Sequence, residues 1–421
     1  MQQLYLAKIE NMDFNQAFET TAERFIRYAK IDTQADPAST TSPSSAKQKN
    51  LSQLLFQELS SAGIQAETDE FGYVYARIPA NTPTPRPKIF FCAHVDTAPD
   101  CSGTDVKPIL HKNYKGEDLV LPDDPTVVIS PADFPDLKQK IGLDLITASG
   151  HTLLGADDKA GVTSIMEAAL FLKNHPEIEH GEMVIFFTTD EEIGHGVDHV
   201  NKQKLDADFG FTLDGGPVGS LEDETFSADA CTIKIKGVST HPGYAKGKME
   251  NAIKIAGEIL AALPKNRMSP ESTDDYEGFV HPTRLEGNLE HAEIDFIIRD
   301  FVTAKLDDHV AELTSICQQV IKSFPHSGFE ISRKEQYRNM KEVLDQHPEV
   351  CKRAEDAIAA SGLKLIKGHI RGGTDGSRLS FMGLPCPNLF AGEYGIHSKK
   401  EWVCVQDMQK AAEVIVRMVT S

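Results

Sequence analysis

Three apolar runs in this chain end in the same way, and that shared ending constrains the fold more than any other feature. Lys88 to Ala93 runs into His94-Val95-Asp96, Met183 to Thr189 into Asp190-Glu191-Glu192, and Phe209 to Leu213 into Asp214-Gly215-Gly216. Short continuous apolar runs read as strands buried on both faces, the pattern of a parallel sheet covered by helices. In open α/β sheets ligands bind beyond the carboxyl ends of the strands. A histidine and several acids are thereby directed toward one cleft.

Helical patterns alternate with these runs, as an α/β domain requires. Two amphipathic stretches, about Asn15 to Lys30 and Ala46 to Ala62, flank a Ser/Thr/Pro loop at Pro37 to Ser45. A third helical run covers Val162 to Lys173. Between about Ser227 and Ser332 the rhythm changes. Thr232 to Gly237 reads as a strand, Met249 to Leu263 as a helix, Arg284 to Phe301 as one long or two short strands, Ala304 to Phe324 as a helix and Phe329 to Ser332 as a strand. That order predicts a split βαβ, ferredoxin-like α+β domain. The expected organisation is a discontinuous first domain, 1–226 and 333–421, with a mostly parallel central sheet flanked by helices. The α+β domain at 227–332 is inserted into it.

Composition excludes several classes of partner. The 421 residues carry 63 acids against 43 bases, a formal charge of −20, which repels phosphate backbones and argues against nucleic acid. No apolar run is long enough to span a bilayer, and Met1 to Asn15 lacks an apolar segment behind a basic start. Seven scattered cysteines with no CxxC pair read as reduced thiols. A cytoplasmic protein is expected.

The chemistry lies in a few short motifs. In His94-Val95-Asp96, residues two apart on a strand share a face, so His94 can bind a metal while Asp96 receives its other ring N–H. Asp157-Asp158 sits in the Gly-bounded loop Leu154 to Gly161 at a helix start, where acids also serve as ordinary caps. Glu191-Glu192 leaves a strongly apolar run. Taken alone the pair reads as a surface turn; with one carboxylate on a metal and the other on its water, it reads as a hydrolytic site. Asp214 and the late His397 extend the set. Together His94, Asp157, Glu192, Asp214 and His397 offer two imidazoles and three carboxylates, donors suited to zinc or a similar first-row dication with open positions. One bridging carboxylate would make the site co-catalytic, with metals roughly 3.5–4 Å apart.

Seven motifs in order, namely Ala93 to Thr97, Leu154 to Gly161, Thr189 to Gly194, Leu213 to Gly216, Ser239 to Ala252, Ile370 to Ser377 and His397, resemble the M20 metallopeptidase family over nearly the whole chain. Within it, the chain is most similar to the enzymes that cleave tripeptides. The resemblance implies two zinc ions per subunit, with cobalt or manganese as substitutes: His94 and Asp214 on one, Glu192 and His397 on the other, Asp157 bridging. It further implies that Asp96 orients His94, that Glu191 is general base and then acid, and that the Asp157-Asp158 peptide is cis. Arg371 is implied to bind the substrate carboxylate, with a structural salt bridge as its other reading. His241 is implied to polarise the scissile carbonyl, often across a homodimer, although His-Pro-Gly alone reads as a turn. Where many members of the family continue His-x-Asp with a Val-Pro pair, this chain has Thr97-Ala98-Pro99-Asp100.

The expected activity is therefore release of the N-terminal residue from a small peptide substrate. An M20 amidohydrolase of dipeptides or N-acyl amino acids and a non-hydrolytic metal-binding regulator are the alternatives. The Asp- and Pro-rich segment from Cys101 to Ser149 has no assigned role.

Overall fold

The computed structural model describes residues 19–421. The reading of Met1 to Asn15, and the start of the helix expected from Asn15, lie outside them. The chain divides into two compact units. One comprises residues up to Asp223 with Val343–Gly368 and Thr374–Ser421; the other comprises Glu224–Glu342 with His369–Gly373.

The first unit is built on an eight-stranded sheet in the order Gln65–Thr68, Val74–Ile78, Met183–Thr188, Ile89–His94, Phe209–Leu213, Asn388–Leu389, Ser220–Thr225, Ile366–Ile370. Its four central strands, Met183–Thr188 to Asn388–Leu389, are mutually parallel. The pairs just outside them are antiparallel, so the sheet is mixed, with its parallel part at the centre. Every residue of Ile89–His94, Met183–Thr188 and Phe209–Leu213 is buried, as strands covered on both faces must be. Because these three are adjacent and parallel, their carboxyl ends lie side by side.

The helix Ala156–Asn174 packs on Ile89–His94 and Phe209–Leu213 and against the C-terminal helix Val405–Thr420. Its apolar and small residues are buried on nearly all sides, which explains why it lacks a polar stripe. A Cβ on Gly161 would collide with the Leu213 carbonyl and the Asp158 carboxylate. Glycine is thus what lets this helix approach the strand end that precedes Asp214.

The segment from Cys101 to Ser149 makes a small lobe. Ile109–His111 and Leu145–Thr147 join Glu393–Tyr394 and Trp402–Cys404 in a four-stranded sheet. Tyr114, Leu121, Ile129 and Leu137 bury Tyr394 and Trp402. The segment therefore supports the loop between those last two strands, which carries His397.

In the second unit an antiparallel sheet runs Phe279–Gly287, His291–Asp300, Ser227–Lys236, Gly328–Tyr337. With the helices Ala252–Ala262 and Lys305–Ile321 it follows the order of a split βαβ fold. Burial alternates along His291–Asp300, and its inward residues Ile294, Phe296 and Ile298 meet Ile255, Ile259 and Leu313 of the helices. The run from Arg284 to Phe301 is broken by a turn at Asn288, whose side chain accepts the N–H groups of Glu290 and His291. This unit is wider than 227–332. Its last strand pairs with Ser227–Lys236 out to Tyr337, and Asn339 then bonds Thr225 N and Phe301 O.

Candidate metal centre and active site

His94 closes the central strand and is 2% exposed. Its Nδ1 lies 3.1 Å from the Asp96 carbonyl oxygen and 3.4 Å from that residue's carboxylate. Both are acceptors, so Nδ1 carries a proton, while Nε2 lies 2.9 Å from Asp157 Oδ1. The Asp96 carboxylate has further partners: it accepts the backbone N–H groups of Glu191 and Glu192, each at 3.1 Å. One acid thus fixes two of the three strand ends relative to each other.

The turn before Glu191 is anchored as firmly. Asp190 is left-handed, with φ 64°. Its carboxylate accepts Ser44 N, Ser44 Oγ and Gln48 Nε2 at 2.7, 2.5 and 2.6 Å, so tertiary bonds offset the backbone strain.

The Asp157-Asp158 peptide is cis. Asp158 accepts His94 N and Gly161 N, while the two Asp157 oxygens diverge. Oδ1 meets His94; Oδ2 lies 3.1 Å from His397 Nε2, which is also 3.0 Å from Glu192 Oε2. His397 is left-handed, φ 57°, and its Nδ1 lies 3.4 Å from Asp100. Asp214 follows its strand directly. A carboxylate oxygen of Asp214 lies within 4.8 Å of ligand atoms of His94 and Glu191, and in a separate grouping one lies within 4.8 Å of carboxylate oxygens of Asp157 and Glu393. Asn388 Nδ2 holds the Asp214 carbonyl at 2.7 Å.

The seven residues His94, Asp96, Asp157, Glu191, Glu192, Asp214 and His397 therefore come together in the first unit. His241 and Arg371 belong to the second. His241 is exposed and caps a short turn, Nδ1 accepting Gly243 N–H at 3.1 Å. The Arg371 guanidinium donates to Asp275 O at 2.5 Å, Glu277 O at 2.9 Å and Thr273 Oγ1 at 3.1 Å. It lies over the Phe226 ring, so it ties a loop within that unit through carbonyls.

Two further acids carry no readable sequence signal. Glu401, in Lys399-Lys400-Glu401, looks like a solvated charge run, yet it is 1% exposed. It accepts the backbone N–H groups of Leu154, Gly155 and Asp157 at 2.6, 2.8 and 3.0 Å. Glu393 reads as a loop residue after Gly392 and is 3% exposed beside Asp157 and Asp214.

The electrostatics is that of a site built around cations. Burial, then repulsion among Asp157, Asp214, Asp375, Glu191 and Glu192, pushes the Glu191 and Asp214 carboxyls well above their usual range, and Glu192 up to about 7. Burial also opposes the Asp157 carboxylate, yet bonds from His397 and His94 hold it below the usual range. His397 is in turn pushed up to about 11 by Asp157 and Glu192. Glu192 Oε1 and Glu393 Oε2 are buried without a hydrogen-bond partner. More buried carboxylate than imidazole, with unpartnered oxygens facing inward and nitrogen and oxygen donors only, fits a pair of first-row dications.

The family model for Peptidase family M20/M25/M40 matches residues 146–421. Peptidase T of Desulfitobacterium hafniense (strain DSM 10664 / DCB-2) is 45% identical over 397 residues, 94% of this chain and 97% of that one. The chain belongs to peptidase family M20. Peptidase T of Geobacillus thermodenitrificans (strain NG80-2) is 46% identical to this M20 chain over 398 residues, with the same coverage. Two solved structures share its fold. Aminopeptidase PepT from Bacillus cereus superposes with TM-score 0.73 at 23% identity, covering 95% of this chain and 97% of that one. A tripeptidase from Staphylococcus aureus gives 0.74 at 21%, with the same coverage. The M20 chain is a metallopeptidase, a hydrolase of peptide bonds. Among its described residues no helix is long and apolar enough to cross a membrane.

Proposed function

We propose that this M20 peptidase removes the N-terminal residue from tripeptides. The observation that carries the hydrolytic part is Asp157: each carboxylate oxygen faces a different imidazole, while Glu191, beside His94 and Asp214, stays free for proton transfer. The tripeptide preference is supported by relatives at 45–46% identity that bear the name Peptidase T.

His94, Asp157 and Asp214 would hold one dication and Asp157, Glu192 and His397 the other. Zinc is the expected metal, and the pair would supply Lewis acidity and lower the pKa of a water toward about 7. Glu191 takes a proton from the attacking water and returns it to the departing amide nitrogen. Its burial and acidic neighbours raise its proton affinity, which suits a group that must both accept and release. Asp96 positions it through the Glu191 N–H. Arg371 and His241 enter as substrate contacts that the family resemblance implies. The proposal also expects a cytoplasmic homodimer, read by fractionation and sedimentation.

The test compares a tripeptide, a dipeptide and an N-acetyl amino acid, before and after chelation and with zinc, cobalt or manganese restored. Tripeptide turnover should vanish on chelation and return with metal. Glu191→Gln should lose about 10²–10⁴ in kcat while keeping its metals. Arg371→Ala should raise KM for the tripeptide. Preferred cleavage of the dipeptide or N-acetyl amino acid would overturn the substrate assignment, and full activity in Glu191→Gln would overturn the mechanism.

A further inference from the structure

Glu393 has no part in that mechanism, and its surroundings are hostile to a carboxylate. Its backbone is fixed by pairing with Val403 in the strand Trp402–Cys404, so the side chain cannot swing out with a loop. It is 3% exposed, and its Oε2 is fully buried with no hydrogen-bond partner. One of its oxygens lies within 4.8 Å of carboxylate oxygens of both Asp157 and Asp214. Among the described residues no lysine or arginine pairs with it. Three carboxylates gathered at one buried point, one of them with an empty oxygen, are strongly unfavourable without a cation between them.

We propose that Glu393 is a further ligand of the dication held by His94, Asp157 and Asp214. This rests on the two-dication reading above and adds to it an asymmetry. The ion at His94 has four protein donors, three of them carboxylates, all buried or nearly so. The ion at His397 has three, including an imidazole that is 41% exposed. The first position binds more tightly, and the second exchanges and is lost first on chelation. The competing source of positive charge at the same point is the α-ammonium of a bound peptide, and the experiment separates the two.

Metal-free wild type, Glu393→Gln and Glu393→Asp are titrated with zinc against a chromophoric chelator, and the cobalt forms are compared by visible absorption. Wild type should show two affinities. Glu393→Gln should weaken the tighter one by about 10–100-fold, leave the weaker one unchanged and alter the cobalt spectrum. If the glutamine variant does not fold, Glu393→Asp stands in for it, since it keeps the charge but withdraws the carboxylate by one methylene. The same selective loss supports the ligand role, and wild-type affinities overturn it. Unchanged metal affinities with a raised tripeptide KM also overturn it and assign Glu393 to the α-ammonium. Failure of the wild type to bind metal would sink the two-dication reading itself, a distinguishable result.

Discussion

Glu401 offers the sharpest quantitative test of how this site is held. The helix Ala156–Asn174 starts at Gly155 with no side-chain cap of its own, although its first N–H groups need acceptors. Glu401, far away in sequence, supplies one carboxylate to three of the N–H groups at this helix start. Glu401→Ala strands three buried donors at about 1–3 kcal/mol each, or about 3–9 kcal/mol in total, comparable with the whole stability of many domains. Glu401→Gln is the cleaner probe. With its amide oxygen toward Leu154 and Gly155, its NH₂ group faces the Asp157 N–H. One bond is lost at the residue that carries the shared carboxylate, a penalty of about 1–3 kcal/mol. Burial pushes the Glu401 carboxyl up to about 7, so urea unfolding of the metal-free protein is best measured near pH 8, where the carboxylate form prevails. The expected result is a lower unfolding free energy by that amount, together with about tenfold weaker metal binding. A glutamine variant within about 0.5 kcal/mol of wild type, with unaltered metal affinity, would refute the reasoning.

Glu222 yields a pH prediction away from the metal ligands. Burial pushes its carboxyl from 4.5 up to about 7, so the folded state keeps this proton longer than the unfolded one. The resulting stability, about 3 kcal/mol, is fully present below about pH 4.5 and is lost as pH rises through 7. Glu222→Gln should flatten that slope in thermal melts, and an unchanged slope would exclude the assignment. Gly161→Ala should destabilise by about 1–3 kcal/mol or more, because its Cβ would meet Leu213 O and Asp158. An alanine variant as stable and active as wild type would show that the helix does not need this close approach.

The elements legible in the sequence were those with a local cause. Phe209–Leu213 and Ile89–His94 show themselves by unbroken apolar content, and Ala252–Ala262 by its helical spacing. Gln65–Thr68 has no such pattern: it is a mostly exposed edge strand that forms because Val74–Ile78 offers it a partner. The end of the inserted unit was placed early for a related reason. Pairing with Ser227–Lys236 carries the last strand through the polar residues Arg333 to Tyr337, where periodicity is silent.

The site divides along the same line. The sequence by itself determined which acids and histidines stand at strand ends, because burial of the preceding run and the glycines after it are written locally. It also determined the family, through motif order. Only the tertiary structure decided what each side chain meets. The Asp96 carboxylate spans to the Glu191 and Glu192 N–H groups, Glu401 leaves an apparent charge run to cap a helix some 240 positions away, and Glu393 is drawn in between two other carboxylates. Each of these contacts joins distant segments, and its energy comes from satisfying buried donors or charges, a demand that exists only after the chain has closed around them.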